Sequence, residues 1–161
     1  MLWRIVGNLD FKQLFSLLWM FLKNPLYALP TVLATKRCMA IAQREYGYKH
    51  HLNNPANAFR HALWVILIAK KCLKWQNNEK KATAWAKRFT DWHERFSPNE
   101  ALEQAMDLHN IAVGLVFFQK VKHENEAEIV SFLKQKASEA VKISVVEEVI
   151  NNENRLVYIQ E

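Results

Sequence analysis

Glycine is scarce in this chain: three residues in 161, beside four prolines and two cysteines. So few glycines leave few places for the tight turns of an all-β fold, and none for a glycine-built phosphate cradle. A sandwich, a barrel, a Rossmann site and a P-loop are therefore set aside. Cys38 and Cys72 stand in unrelated surroundings and form no CxxC pair, which indicates neither a zinc knuckle nor a disulfide scaffold. Both sit among apolar residues and read as small buried hydrophobes, so a reducing cytoplasm is the default compartment. Internal repeats and low-complexity tracts are also missing.

Long hydrophobic runs are absent too. Leu14 to Leu22 is apolar except for Ser16 and is fenced by Lys12 and Lys23. A spanning helix needs about 20 apolar residues, so this stretch is too short to cross a bilayer alone. A signal peptide is not indicated, because Asp10 precedes the stretch and no small-residue cleavage site follows it. Two readings stay open for residues 1–30. One is a core-packing helix that ends at Asn24-Pro25. The other is an interfacial anchor, peripheral at the inner membrane. It would set Trp3, Phe11, Phe15, Trp19, Phe21 and Tyr27 at headgroup depth, with Lys12, Lys23, Lys36 and Arg37 toward anionic lipid.

What is present suffices for one domain and one core: half of the chain is apolar, 12% is aromatic and 24% is charged. The 22 Lys and Arg exceed the 16 Asp and Glu by six. That excess favours an anionic partner, either a small molecule or a phospholipid surface. Lys70, Lys71, Lys74, Lys80, Lys81, Lys87 and Arg88 form a basic surface, but no recognised motif accompanies it, so nucleic acid is disfavoured.

The pattern is all-α. Helices are expected at about 10–23, 30–46, 55–76, 78–95, 99–122 and 124–141. Pro55 after Asn53-Asn54 suits a first helical turn, where its missing N–H costs nothing. Asn99, followed by Glu100 and Glu103, reads as a cap with acids in the first turn. From Ala58 to Ala69 the third segment is apolar nearly all round, so it belongs inside a bundle. The expected fold is a five- to six-helix bundle around this buried helix, about 55–76, as a single domain. After Ala140, β-branched residues and Leu156-Val157-Tyr158-Ile159 predict a short hairpin, or a helix followed by a strand, outside the bundle and without chemistry.

The candidate site lies where polar residues interrupt apolar faces. Asn57, His61 and Trp64 share one face of the central helix, with Arg60 beside them. A buried guanidinium without a partner costs several kcal/mol or more, so Arg60 is expected to meet an acid. His93 falls in the stripe Ala82, Trp85, Ala86, Phe89, Phe96, and Glu94 follows it. His109 falls in the stripe Leu102, Ala105, Met106, Val113, Val116, Phe117, beside a row of Glu103, Asp107, Asn110 and Gly114. Gly114 lets a neighbouring helix or a ligand approach that row. Imidazoles and carboxylates at one level between helices are ligands for zinc, manganese or iron. The expected metal set is His61, His93, Asp107 and His109, with Glu94 as base or ligand, Arg60 on a substrate anion, and Asn57 and Asn110 alongside. Asp107 and His109 stand about 200° apart on a regular helix, so only one can point straight at a given ion. A metal-free site, with histidine as general base, and a structural polar network remain alternatives. His50, His51 and His123 are expected on the surface, the first two in a loop that could lie over the site.

N-A-F-R-H-A-L-W at 57–64, W-H-E at 92–94 and M-D-L-H-N at 106–110, with Gly114, resemble an uncharacterised family of small helical bacterial domains. Some of its members stand at the ends of large secreted or polymorphic-toxin-like proteins. The likeness covers Asn57 to Gly114 and the C-terminal Leu-Val-Tyr-Ile, without the hydrophobic N-terminal third. It implies a bacterial source and a shared polar site at those residues, and no settled activity. Ile111 stands where a second asparagine often follows Asn110. Together these features lead to two expectations: a metal-assisted hydrolase of a phosphoester or other anionic substrate, or a non-enzymatic, membrane-associated binding or immunity-type protein.

Overall fold

Fourteen of the 22 residues of Pro55–Gln76 are buried, including every one from His61 to Ala69, so this helix meets protein on nearly every side. The computed structural model describes residues 10–97 and 99–160, and the chain is mostly helical with a small strand pair near its C-terminus. Among the described residues the α-helices are α1 (Phe11–Lys23), α2 (Pro25–Tyr46), α3 (Pro55–Gln76), α4 (Glu79–Phe96), α5 (Ala101–Val121) and α6 (Glu126–Ser138). α3 packs against α2, α4, α5 and α6.

The helix ends follow local chemistry. Asp10 and Gln13 form a capping box before α1. Asn54 accepts from the N–H groups of Ala56 and Asn57, with Pro55 in the first turn of α3. Asn77 closes α3 in the left-handed conformation, and Asn78 caps α4. Two boundaries differ from expectation. α2 starts at Pro25, not near residue 30, and Pro30 lies buried inside it. α6 ends at Ser138, and Val141–Lys142 (β1) follows as a strand rather than as helix.

β1 pairs in parallel with β2 (Val157–Tyr158), Val141 opposite Val157, with a 3-10 helix (Val146–Asn152) between them. Parallel pairing corrects the hairpin alternative, while the other, a helix followed by a strand, is met by the 3-10 helix and β2. The segment is held closely: Ile143 and Val157 are buried with Met106 in a small cluster beside the main core, which Leu156 joins. The Asn110 side chain does this work, since its Oδ1 accepts from Val157 N–H and its Nδ2 donates to Val157 C=O, both at 2.9 Å. It serves β2 as a neighbouring strand would.

α5 runs beside α3 in the same direction, with His61 against Asp107, Ala62 and Val65 against Gly114, and Lys70 at the end of α5. The crossing is close because Gly114 has no side chain: a Cβ there would lie 2.7 Å from Val65 Cγ1 and 2.8 Å from Ala62 Cα. Lys70 Nζ donates to the Lys122 and Glu124 carbonyls, where a cation suits a helix C-terminus.

α1 and α2 meet at Asn24 with a bend of 119°, and no single helix among the described residues is long and apolar enough to cross a membrane. The inner face of α2 carries Tyr27, Thr31, Ala34, Thr35, Cys38 and Ile41. Thr35 accepts the Trp64 indole N–H and Thr31 that of Trp85, each at 2.8 Å.

Candidate functional site

Three buried side chains from three helices converge: His61 from α3, Glu94 from α4 and Asp107 from α5. One ligand atom of each lies within 4.8 Å of the other two. All three are at most 3% exposed.

The imidazole of His61 is fixed by what surrounds it. Its Nε2 lies 3.2 Å from Arg60 Nη2, which can only donate, so Nε2 is the accepting nitrogen. Nδ1 then carries the proton and donates to Asn57 Oδ1 at 2.6 Å. Asp107 Oδ1 sits 3.0 Å from that nitrogen but off the line of its N–H, and makes no aligned hydrogen bond. Glu94 Oε1, 3.7 Å from Nε2, has no hydrogen-bond partner either. Two buried carboxylate oxygens thus face one another's neighbourhood without donors, which is costly unless a proton or a cation joins them. Burial above all, and then the neighbouring Asp107, pushes the Glu94 carboxyl up to about 7, against the pull of His61 and Arg60.

Among the described residues Arg60 forms no ion pair with an acid, contrary to expectation; its Nη1 donates instead to the His50 carbonyl at 2.8 Å. Its own carbonyl accepts from Cys38 Sγ at 3.4 Å. A cavity of ≈ 110 Å³ leads to the cluster, lined by Thr35, Cys38, Met39, Arg60, His61, Trp64 and His93. His93 packs edge-on against Trp64, with ring centroids 5.0 Å apart. Burial first, then His61 and Arg60, lowers its imidazole to about 4, so it is neutral at pH 7.

The structure thus brings together Asn57, Arg60, His61, Glu94 and Asp107, with His93 at the cavity wall. It leaves His109 and Asn110 elsewhere. His109 Nε2 bonds the Arg155 carbonyl at 2.8 Å, and Asn110 is engaged with Val157. Asp107 takes the inward direction on α5, and the roughly 200° between it and His109 turns the latter toward the C-terminal segment. Asn99 also differs from expectation. Glu100 is the cap residue of α5, and Asn99 Nδ2 instead donates to Asp107 Oδ2 at 3.2 Å. Thr35, Cys38 and Met39 were not anticipated, although Thr31, Thr35 and Cys38 share one helical face at steps of four and three.

His50 is buried, not on the surface as expected, while His51 and His123 are exposed. Burial, with His51 and Arg60 beside it, lowers the His50 imidazole from 6.5 to about 4. The unfolded chain therefore takes up a proton near pH 6.5 that the folded chain refuses until about pH 4. The stability this group contributes is complete above pH 6.5 and is lost as pH falls toward 4. A His50→Gln variant is expected to keep more of its neutral-pH melting temperature at pH 5 than the parent does. Thermal melts across that range check this, and parallel curves would rule out His50 as the cause.

The fold and this cluster define a small helical domain with a buried His-Glu-Asp group at the junction of three helices. The chain belongs to the family described as a domain of unknown function, DUF6973, whose model matches residues 18–141. That match takes in most of the N-terminal third, which the motif resemblance left out. It ends before Leu156-Val157-Tyr158-Ile159, which the resemblance included. Neither the curated proteins nor the solved structures contain a match.

Proposed function

We propose that the domain is a metal-assisted hydrolase of a phosphoester or another anionic substrate, with His61, Glu94 and Asp107 holding a zinc, manganese or iron ion. One observation carries the reading: two buried carboxylate oxygens have no donors, and His61, Glu94 and Asp107 each offer an atom within 4.8 Å of the others, with the imidazole tied by Asn57. A second hydrogen bond on the far ring nitrogen is how metal-ligating histidines are oriented. When bound, a divalent ion supplies the charge that polarises a phosphoryl oxygen and lowers the pKa of water.

The rest falls to the chain's own groups. Arg60, held through Nη1, offers its remaining donors to an anion in the cavity. His93, neutral at the cavity wall, accepts a proton, and an entering anion raises its pKa back toward the range useful for a general base. We also read the helices as a bundle organised around α3, which makes the site a junction of elements the core holds fixed.

A second reading has its own support. The contact of Arg60 Nη2 with His61 Nε2 places a cation beside the acids already. The cluster is then a structural network in a non-enzymatic binding or immunity-type protein. Elemental analysis of the purified chain, with thermal melts with and without chelator, separates the two. Near-stoichiometric metal whose removal lowers the melting temperature supports the hydrolase and justifies a phosphoester screen. A metal-free chain indifferent to chelator and to added zinc or manganese would overturn the metal site.

A further inference from the structure

Away from the His61 cluster, the N-terminal helices turn an apolar stripe outward. On α1, Phe11, Phe15, Leu18, Trp19 and Leu22 are all more than half exposed. On α2, Leu26, Leu29 and Leu33 are exposed as well, at 58%, 52% and 43%. An amphipathic helix of a soluble protein turns such a stripe toward its core. Here only Met20 of α1 is buried. Phe21 and Tyr27 do turn inward, onto Trp85 and Phe89, which corrects their expected place at headgroup depth. Trp3 lies outside the described residues. Exposed large apolar side chains concentrated in this number on two consecutive helices mark an interaction surface, unlike scattered single side chains.

The frame of the stripe says what it meets. Between α1 and α4 runs a groove of ≈ 540 Å³ whose cations are Lys23, Lys87, Arg88 and Arg95, beside Trp19. Its acid, Asp91, is already paired with Lys87 at 2.5 Å. Among the described residues Arg88 and Arg95 form no ion pair. Lys23 Nζ stands 4.9 Å over the Trp19 ring. Lys12 and Lys36 are exposed along the same two helices, whereas Arg37, expected to face lipid, is paired with Glu126. Apolar and aromatic side chains edged by cations are the chemistry of an anionic membrane interface.

Other occupants fit less well. A spanning arrangement conflicts with the buried inner face of α2, which packs on the core. A second copy of the chain would bring two cationic grooves together. A nucleic acid would gain nothing from Leu22, Leu26 and Leu29. We propose that the outward face of α1 and the first half of α2 is a docking surface for an anionic lipid bilayer. It enters the interface in plane and seats lipid phosphate in the groove between α1 and α4.

Vesicle flotation of the full chain tests this, with phosphatidylcholine alone against an equimolar mixture with phosphatidylglycerol. Binding to the anionic vesicles is expected to exceed that to neutral ones by at least about tenfold. Leu18→Glu with Leu22→Glu, and separately Arg88→Glu with Arg95→Glu, should each reduce it by at least about tenfold. All four side chains are exposed, so melting temperatures should stay near the parent's. Equal binding to neutral vesicles, or binding that ignores both pairs, would overturn the proposal. So would no vesicle binding together with a dimer in sedimentation equilibrium that Leu18→Glu with Leu22→Glu dissolves, because the face would then be a self-association surface.

Discussion

If the proposed metal-assisted hydrolase is right, Asp107→Asn is expected to abolish stoichiometric metal binding and to lower hydrolysis by at least about 100-fold, without loss of helix content. The substitution keeps the side chain's shape while removing one charge and half of the carboxylate donor set. Its effect on stability separates the two readings of the cluster. In the metal-free protein, Asp107 is one of the groups that hold the Glu94 proton on, so its charge and that of Glu94 oppose each other. Removing it relieves that opposition, and in chelator the variant should melt at or above the parent temperature. If the cluster is instead a structural network, Asp107→Asn leaves buried partners unmatched and costs about 1–3 kcal/mol, with no metal in either protein. Metal content and melting temperature, measured on the same two samples, give the answer. A variant with parental metal content would exclude Asp107 as a ligand.

Gly114→Ala should produce the largest loss of stability from a single methyl group. Alanine is the better helix former by about 1 kcal/mol, so local propensity alone predicts a gain. The added carbon meets Ala62 Cα at 2.8 Å and the Ala62 carbonyl at 3.0 Å, both backbone atoms that cannot turn aside. α3 and α5 must then separate, at an overpacking cost of ~1–3 kcal/mol or more. A net loss of about 2 kcal/mol corresponds to ~4–8 °C in a domain of this size. Because Asp107 sits on α5 and His61 on α3, the same separation opens the His-Glu-Asp cluster, so metal affinity should fall with stability. An unchanged or raised melting temperature would show that the helices adjust without separating.

Much of the helical frame can be read from residues whose effects are local. Asn54-Pro55 and Asn77-Asn78 mark ends because a cap needs a side-chain acceptor or a left-handed residue at one place. Pro30 misleads for the opposite reason. Its missing N–H costs one ladder bond, and the packing of Tyr27, Thr31 and Ala34 on the core outweighs it. The parallel β1–β2 pair could not be read, since it depends on Asn110, a residue on another element.

The site divides the same way. His61, Glu94 and Asp107 stand out as polar residues in apolar helices, which is a local signal. Which neighbour turns inward is not local. The stripe on α4 places His93 inside, yet Glu94 is the more deeply buried, because α4 is covered on more than one side. His50 looked exposed within a polar loop. It is buried, with its carbonyl bonded by Arg60, a partner ten residues away, and its ring against Gln43 and His51.

That carbonyl makes the 3-10 turn Gly47–His51 and the guanidinium a single mechanical unit. An arginine tethered at Nη1 has little freedom to wander, so the rotational entropy that anion capture would cost has largely been lost when the loop folds. If Arg60 holds an anion as proposed, linkage runs both ways: whatever stiffens Gly47–His51 tightens that grip, and the bound anion stiffens the turn. Amide exchange in a segment that touches no substrate would therefore report whether the cavity is filled.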